Sequence, residues 1–305
     1  MAKRFNQDAD YPLEHVKYSM NLIALINALS CDGEVNRNEI LYLNTWILNT
    51  LESYFYGRIP DQITSDLLAI TDNLLNSQLD DKEITVKAIG YFKTITDQLN
   101  DFIHNYAHQH FYYHEACVNF LQGACIGFLA DNKINDRELE YLESLLATYE
   151  VLREDPICSK FYDVVIDLKE IDDVSEKEKL KNHLMELIKD FSGSSDDIIE
   201  GMALGKSFFD YVENVNLDGK VVCFTGKFKY GTRKKCQQLA IAQGAIVIDD
   251  WRSDLDYIIV GTFSARGWMY TTYGRKVEIA RTYQKERNHP VKIISESQWD
   301  IPQEN

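Results

Sequence analysis

The chain has 305 residues, 45% of them hydrophobic and 12% aromatic, enough apolar material for two domains with real cores and too much for global disorder. It holds no run of eighteen apolar residues, which excludes a spanning helix, and Met1–Asp8 turns acidic at once, unlike a signal peptide. The net charge of −16 is uneven: residues 216–305 hold 14 Lys+Arg against 10 Asp+Glu, and residues 1–215 hold 18 against 38. An acidic body therefore carries a mildly basic C-terminal module, which repels DNA at long range while leaving the module able to grip a phosphate. The six cysteines are scattered without a CxxC pair, as reduced core cysteines are in a cytoplasmic protein.

In chain order, Leu13, Val16, Met20, Ile23 and Ile26 fall at three- and four-residue spacing and predict an amphipathic helix. Ser30-Cys31-Asp32-Gly33 stops it, and Asn36 followed by Glu39 has the form of a capping box opening the next helix, with Ile40, Leu43, Ile47 and Leu51 inward. The same construction returns 99 residues later: Asp131 matches Asp32, Asn135 matches Asn36, Glu138 matches Glu39 and Leu142 matches Leu43. We read this as an internal helix-pair repeat. Between the copies lie Gln62–Leu75 and a long helical run from about Asp80 to Tyr113. Pro156–Leu168 and Glu176–Phe191 predict two more helices. Ser192–Asp197 reads as a linker, and Ile198–Val212 as a connecting helix. The expected organisation is an all-helical domain over 11–191, a linker and connecting helix over 192–215, and a small α/β domain over 216–302.

The repeat's turn, Cys31-Asp32-Gly33-Glu34-Val35-Asn36-Arg37-Asn38-Glu39, resembles the TerB-like helical domain associated with tellurite-resistance proteins. That resemblance covers roughly 20–150 and implies a helical bundle whose acidic residues serve divalent ions or partners, without enzymatic activity. Asp32 and Asp131, at equivalent positions, can face each other across a cation; equally, each can form an Asx turn within its own loop. The closing glutamate of an EF-hand is missing, Leu43 and Leu142 standing in its place. On a continuous helix His104, His108 and Glu115 share one stripe and His110, His114 and Cys117 another, each with metal-ligand spacing. The competing reading is amphipathic rings over a core edge. No Walker, GxSxG or GxGxxG motif occurs, so neither a cofactor nor nucleophilic catalysis is expected.

From Leu217 the period changes. Lys220–Phe224 is a short apolar strand ending in Thr225-Gly226, and Arg233–Gln243 is a helix stopped by Gly244. Ala245–Ile248 and Asp256–Gly261 are strands, Tyr273–Lys276 opens a second helix, Pro290–Ile294 is a fourth strand, and Ser295 caps a final helix. Apolar throughout, Asp256–Gly261 reads as a parallel strand covered on both faces. An apolar strand that runs into a Thr-Gly turn and a basic helix start is a seat for a phosphate.

Over about 217–301 the sequence resembles the BRCT domain, of the single type found in bacterial NAD-dependent DNA ligases and the replication factor C large subunit. The resemblance rests on Gly219-Lys220, Phe224-Thr225-Gly226, Arg233, Gly244, Leu255–Gly261, Gly274–Ala280, Ile293–Glu296 and Trp299. It implies a central four-stranded parallel sheet and a phosphate pocket built from Thr225, Gly226, Arg233 and Lys276. Lys227, Lys229, Lys234 and Arg275 can extend the grip along a nucleic-acid backbone, and Trp268 can stack a base or make a partner or core contact. The segment Arg266–Tyr273 is longer than in the ligase type, and Tyr273 stands where an additional lysine is common.

The expected function is a non-enzymatic, phosphate-dependent binding protein. Its ligand is a 5′-phosphate DNA end or a phosphorylated protein, and the helical domain recruits another protein. The alternatives are a pure protein–protein adaptor or homodimer with a vestigial pocket and, last, a metal-dependent enzyme centred on the helical domain.

Overall fold

The computed structural model describes residues 11–106, 112–193 and 201–299. Eight helices come first: α1 (Tyr11–Ser30), α2 (Arg37–Phe55), α3 (Gln62–Leu75), α4 (Asp81–Tyr106), α5 (Tyr113–Gly127), α6 (Asp136–Thr148), α7 (Ser159–Glu170) and α8 (Val174–Ser192). A four-stranded sheet follows, made of β1 (Val221–Thr225), β2 (Ile246–Ile248), β3 (Tyr257–Val260) and β4 (Lys292–Ser295), with α9 (Arg233–Ala242) and α10 (Arg275–Arg287) as crossovers. Its order is β2-β1-β3-β4 and all pairs are parallel. The expected architecture of a helical part followed by a small parallel sheet is therefore present.

The repeat is present with its local chemistry. Asn36 accepts from the N–H groups of Asn38 and Glu39 while Glu39 accepts from Asn36 N–H, and Asn135 and Glu138 repeat this arrangement. The first helices of the two copies, α1 and α5, cross in close contact. A Cβ on Gly123 would lie 2.3 Å from the Asn21 carbonyl oxygen, and one on Gly127 would lie 2.5 Å from Ala28 Cβ. Two glycines four residues apart thus clear one stripe of α5 for the backbone of α1.

The long run expected from Asp80 to Tyr113 is corrected. Residues 107–111 lie outside the described residues; on their far side Tyr112 is extended and opens α5 as a new helix, its N–H donating to Glu115 Oε2 at 3.0 Å. The expected connecting helix over Ile198–Val212 is corrected over its described part: between Gly201 and Val212 the only helical piece is a 3-10 turn at Lys206–Phe208. The backbone bonds of this segment go to the sheet module and to α8. Ala203 N–H donates to Thr262 O, Leu204 N–H to Thr272 O, Gly205 N–H to Asp190 O and Asp210 N–H to Ile293 O. With Gly201 and Gly205 weakening any helix, tertiary partners take these groups instead. The final helix is likewise only a 3-10 turn, Glu296–Gln298, within the described residues.

Alternation along the strands decides which core each face enters. Val222, Phe224, Ile259 and Ile294 face α9 and Trp299 in a small core of the module's own. Val221, Cys223, Ile258, Val260 and Ile293 face α10 and join a core that also holds Phe161, Leu184, Phe191 and Phe208. The helical part and the sheet part thus meet in a common hydrophobic core, beside a separate core within the helices that holds Leu22, Ile40, Leu67 and Phe92, without the clean separation that the linker composition suggested.

Candidate phosphate-binding cleft

The sheet order places a switch point between β1 and β3. Strand β1 leads through α9 to β2 on one side, and β3 leads through α10 to β4 on the other. At such a point the loops leaving neighbouring strands part, opening a crevice at the strands' carboxyl ends. A cleft of about 320 Å³ lies there, lined by Thr225, Arg233, Ala265, Arg266, Gly267, Trp268, Met269, Gly274, Arg275 and Lys276. Three of the four expected phosphate residues, Thr225, Arg233 and Lys276, come together in it, and so do the auxiliary candidates Arg275 and Trp268.

Apart from Trp268, each sits at the end of a strand or the start of a helix. Thr225 ends β1, is 4% exposed and pairs with Val260. Arg233 opens α9, whose N-cap Thr232 accepts from Lys235 N–H at 3.2 Å, and its guanidinium donates to Gly226 O at 3.1 Å. Arg275 opens α10, where N-cap Gly274 offers no side-chain acceptor. The first-turn N–H groups of α10 thus lack a side-chain cap beside the cleft, the arrangement that suits an anion. Lys276 gives its ammonium to the Asp249 carbonyl, with Cys223 Sγ at 3.5 Å and Asp250 Oδ1 at 3.9 Å. Arg275 has Glu115 Oε1 at 3.7 Å.

Gly226 is placed differently from the expectation. It is buried and does not line the cleft. Its φ of +90° makes the turn, and a Cβ there would meet Phe263 O at 3.1 Å and Trp268 Cη2 at 3.3 Å. Its contribution is conformation and a carbonyl for Arg233. Lys227, Lys229 and Lys234 do not line the cleft either. The backbone of Lys227 pairs with Phe263, and Lys229 borders a separate groove with Tyr230 and Glu296. Trp268, at 8% exposure, lies against Gly274 and Gly226; it is a wall of the cleft, too enclosed to stack on a base. Tyr273 is fully buried beside Tyr270, ring centroids 4.4 Å apart. The position where a lysine was expected serves the junction with the helical part.

Sequence reasoning missed Arg266. It lines the cleft, donates to Ser53 O, and lies over the Tyr56 ring at 3.6 Å. Its partners are more than two hundred residues away, so no local pattern announces it.

The metal candidates in the helical part do not assemble. Asp32 Oδ1 accepts from Glu34 N–H at 2.9 Å and Asp131 Oδ1 from Lys133 N–H at 3.0 Å, so each makes the Asx turn of its own loop. The loops do meet, since Arg137 donates to Asp32 O at 2.9 Å. Burial first, then Asp32 and Asp131 nearby, push the capping carboxyls of Glu39 and Glu138 up to about 7. Among the described residues no group of three His, Cys, Asp or Glu side chains is placed to share a cation. His104 is exposed near the end of α4, His108 lies outside the described residues, and Glu115 belongs to the next helix, so the expected stripe is not continuous. Among the described residues no helix is long and apolar enough to cross a membrane.

Comparison of the chain with family models, with curated proteins and with solved structures returned no match.

Proposed function

We propose that this chain is a non-enzymatic, phosphate-dependent binding protein that works through a BRCT-like C-terminal module. The observation that carries the reading is the convergence of Thr225, Arg233, Arg275 and Lys276 with the start of α10, which has no side-chain cap, at the switch point. A hydroxyl, cationic side chains and the positive end of a helix dipole are complementary to a phosphate monoester dianion. Arg233 supplies a planar fork and Lys276 a point charge. The phosphate is carried by a 5′ DNA end or by a phosphorylated protein, and the TerB-like helical part recruits a second protein. The module's modest basic excess, beside a body holding 18 Lys+Arg against 38 Asp+Glu, suits local capture of one phosphate rather than long tracts of duplex.

The test is a titration of the full chain with duplexes bearing 5′-phosphate or 5′-hydroxyl ends, and with a peptide in phosphorylated and plain forms. One phosphorylated ligand should bind more tightly than its plain partner. Arg233→Ala and Lys276→Ala should each remove about 1.5–3 kcal/mol of that gain, the range for a charge-assisted hydrogen bond. Equal binding of phosphorylated and plain ligands in both series would rule the reading out.

A further inference from the structure

The cleft wall from Ala265 to Met269 and the chain that follows it are held by the helical part. Gly267 N–H donates to Glu14 Oε1 at 2.8 Å, and Lys17 Nζ donates to Trp268 O at 2.8 Å. Asn119 donates to Met269 O at 3.2 Å, and Gln122 accepts from Thr271 N–H at 2.9 Å while donating to Thr272 Oγ1 at 2.6 Å. Glu14 and Lys17 also pair with each other at 2.9 Å, their side chains only 5% and 4% exposed.

A buried ion pair is a weak source of stability, because removing both charges from water offsets most of their attraction. Here each charged group also satisfies one backbone group of the same short loop. These bonds have direction, and they aim Trp268. A Cβ on Gly274 would lie 2.5 Å from Trp268 Cδ1, and one on Gly226 would lie 3.3 Å from Trp268 Cη2. One edge of the indole therefore rests on the cap of α10 and the other on the turn after β1. The ring is a spacer between the two backbone elements that frame the cleft.

We infer that Glu14 and Lys17 are positioning residues of the cleft: through the Gly267–Trp268 backbone they hold the Trp268 wedge that sets the distance between the β1 turn and the start of α10. The helical part is then half of the binding site as well as a platform for a partner. A partner that moves the first turns of α1 alters the cleft through the same two side chains. This inference rests on the phosphate reading for its functional consequence, and its structural content is tested separately.

The variant is Glu14→Gln combined with Lys17→Met in the full chain, which removes both charges together and leaves no unpaired buried ion. Hydrogen exchange without ligand should be faster in the variant over 265–278 and around Gly226, with the Val222 and Ile259 strands protected as in the parent. Binding of whichever phosphorylated ligand the parent prefers should weaken by about tenfold, the lower end of what losing an orienting partner costs at other sites. Lys17→Arg, which keeps a donor and a charge, should recover part of both. Unchanged exchange over 265–278 overturns the inference whatever the ligand result, as does faster exchange accompanied by parental affinity. Should the parent itself show no preference for phosphate, the proposed function fails while the exchange comparison still decides the coupling. Uniformly faster exchange throughout the chain would mean general destabilisation and would also overturn it.

Discussion

At the scale of single residues, buried polar groups of this chain work chiefly as fasteners between distant segments. Asp155, 4% exposed, accepts from His114 Nε2 at 2.9 Å and from the N–H groups of Ile157 and Cys158. Burial alone would push the Asp155 carboxyl up; the His114 bond and the two backbone N–H groups outweigh it and bring it below its ordinary value. The same bond, against opposing burial, lifts His114 above its ordinary 6.5. The signs follow from linkage. The His114 contribution is complete below pH 6.5 and fades as pH rises through the raised value. The Asp155 contribution is complete above pH 3.8 and is lost only as pH falls through the lowered one. Thermal unfolding of the parent and His114→Gln should therefore differ most between about pH 5 and 6.5, and the gap should narrow toward pH 9. A gap of constant size across that range would show that the charged pair contributes nothing.

At the scale of elements, the crossing of α1 and α5 decides the shape of the helical part. It depends on the absence of side chains at Gly123 and Gly127, where a Cβ would stand 2.3 Å from the Asn21 carbonyl oxygen and 3.0 Å from the Leu25 carbonyl oxygen. Backbone atoms cannot turn aside as a flexible side chain can, so a methyl group must push the helices apart. Alanine usually strengthens a helix by about 1 kcal/mol over glycine. At Gly123 the expected result is the reverse: Gly123→Ala should lower stability by about 1–3 kcal/mol, the usual cost of overpacking, in a denaturant titration. Gly90, where a Cβ meets nothing within 4 Å in α4, is the control, and Gly90→Ala should stabilise. If both substitutions stabilise, the close crossing is not a feature of the folded protein.

At the scale of the whole molecule, the decisive feature is the shared core. Trp268, Tyr270 and Tyr273 are buried together with Phe161, Phe191 and Phe208. The sheet module alone would expose these rings and leave the Arg266–Tyr273 segment without Glu14, Lys17, Asn119 and Gln122. A fragment beginning at Gly205 should therefore fail to unfold cooperatively and should bind a hydrophobic dye, whereas the full chain melts in one transition. A fragment with a sharp melt and no dye binding would restore the picture of two independent modules.

Much of this was readable in the chain itself, for a physical reason. The helix pair at Asp32–Leu51 and its echo at Asp131–Leu146, the strands Val221–Thr225 and Tyr257–Val260, and the basic helix starts at Arg233 and Arg275 rest on interactions within a few residues. Periodicity, capping and turn chemistry record such interactions directly. The convergence of Thr225, Arg233 and Lys276 was open only through resemblance to a known domain, because strand order is not written in any local pattern. What required the tertiary structure was everything carried by long separations in the chain. The bonds of Glu14 and Lys17 to Gly267 and Trp268 span some two hundred and fifty residues. Residues 201–210 carry a helical pattern, yet Thr262, Thr272, Asp190 and Ile293 take the N–H groups of Ala203, Leu204, Gly205 and Asp210. Trp268, in an ordinary loop sequence, becomes a buried wedge because two glycines from different turns leave room for its ring.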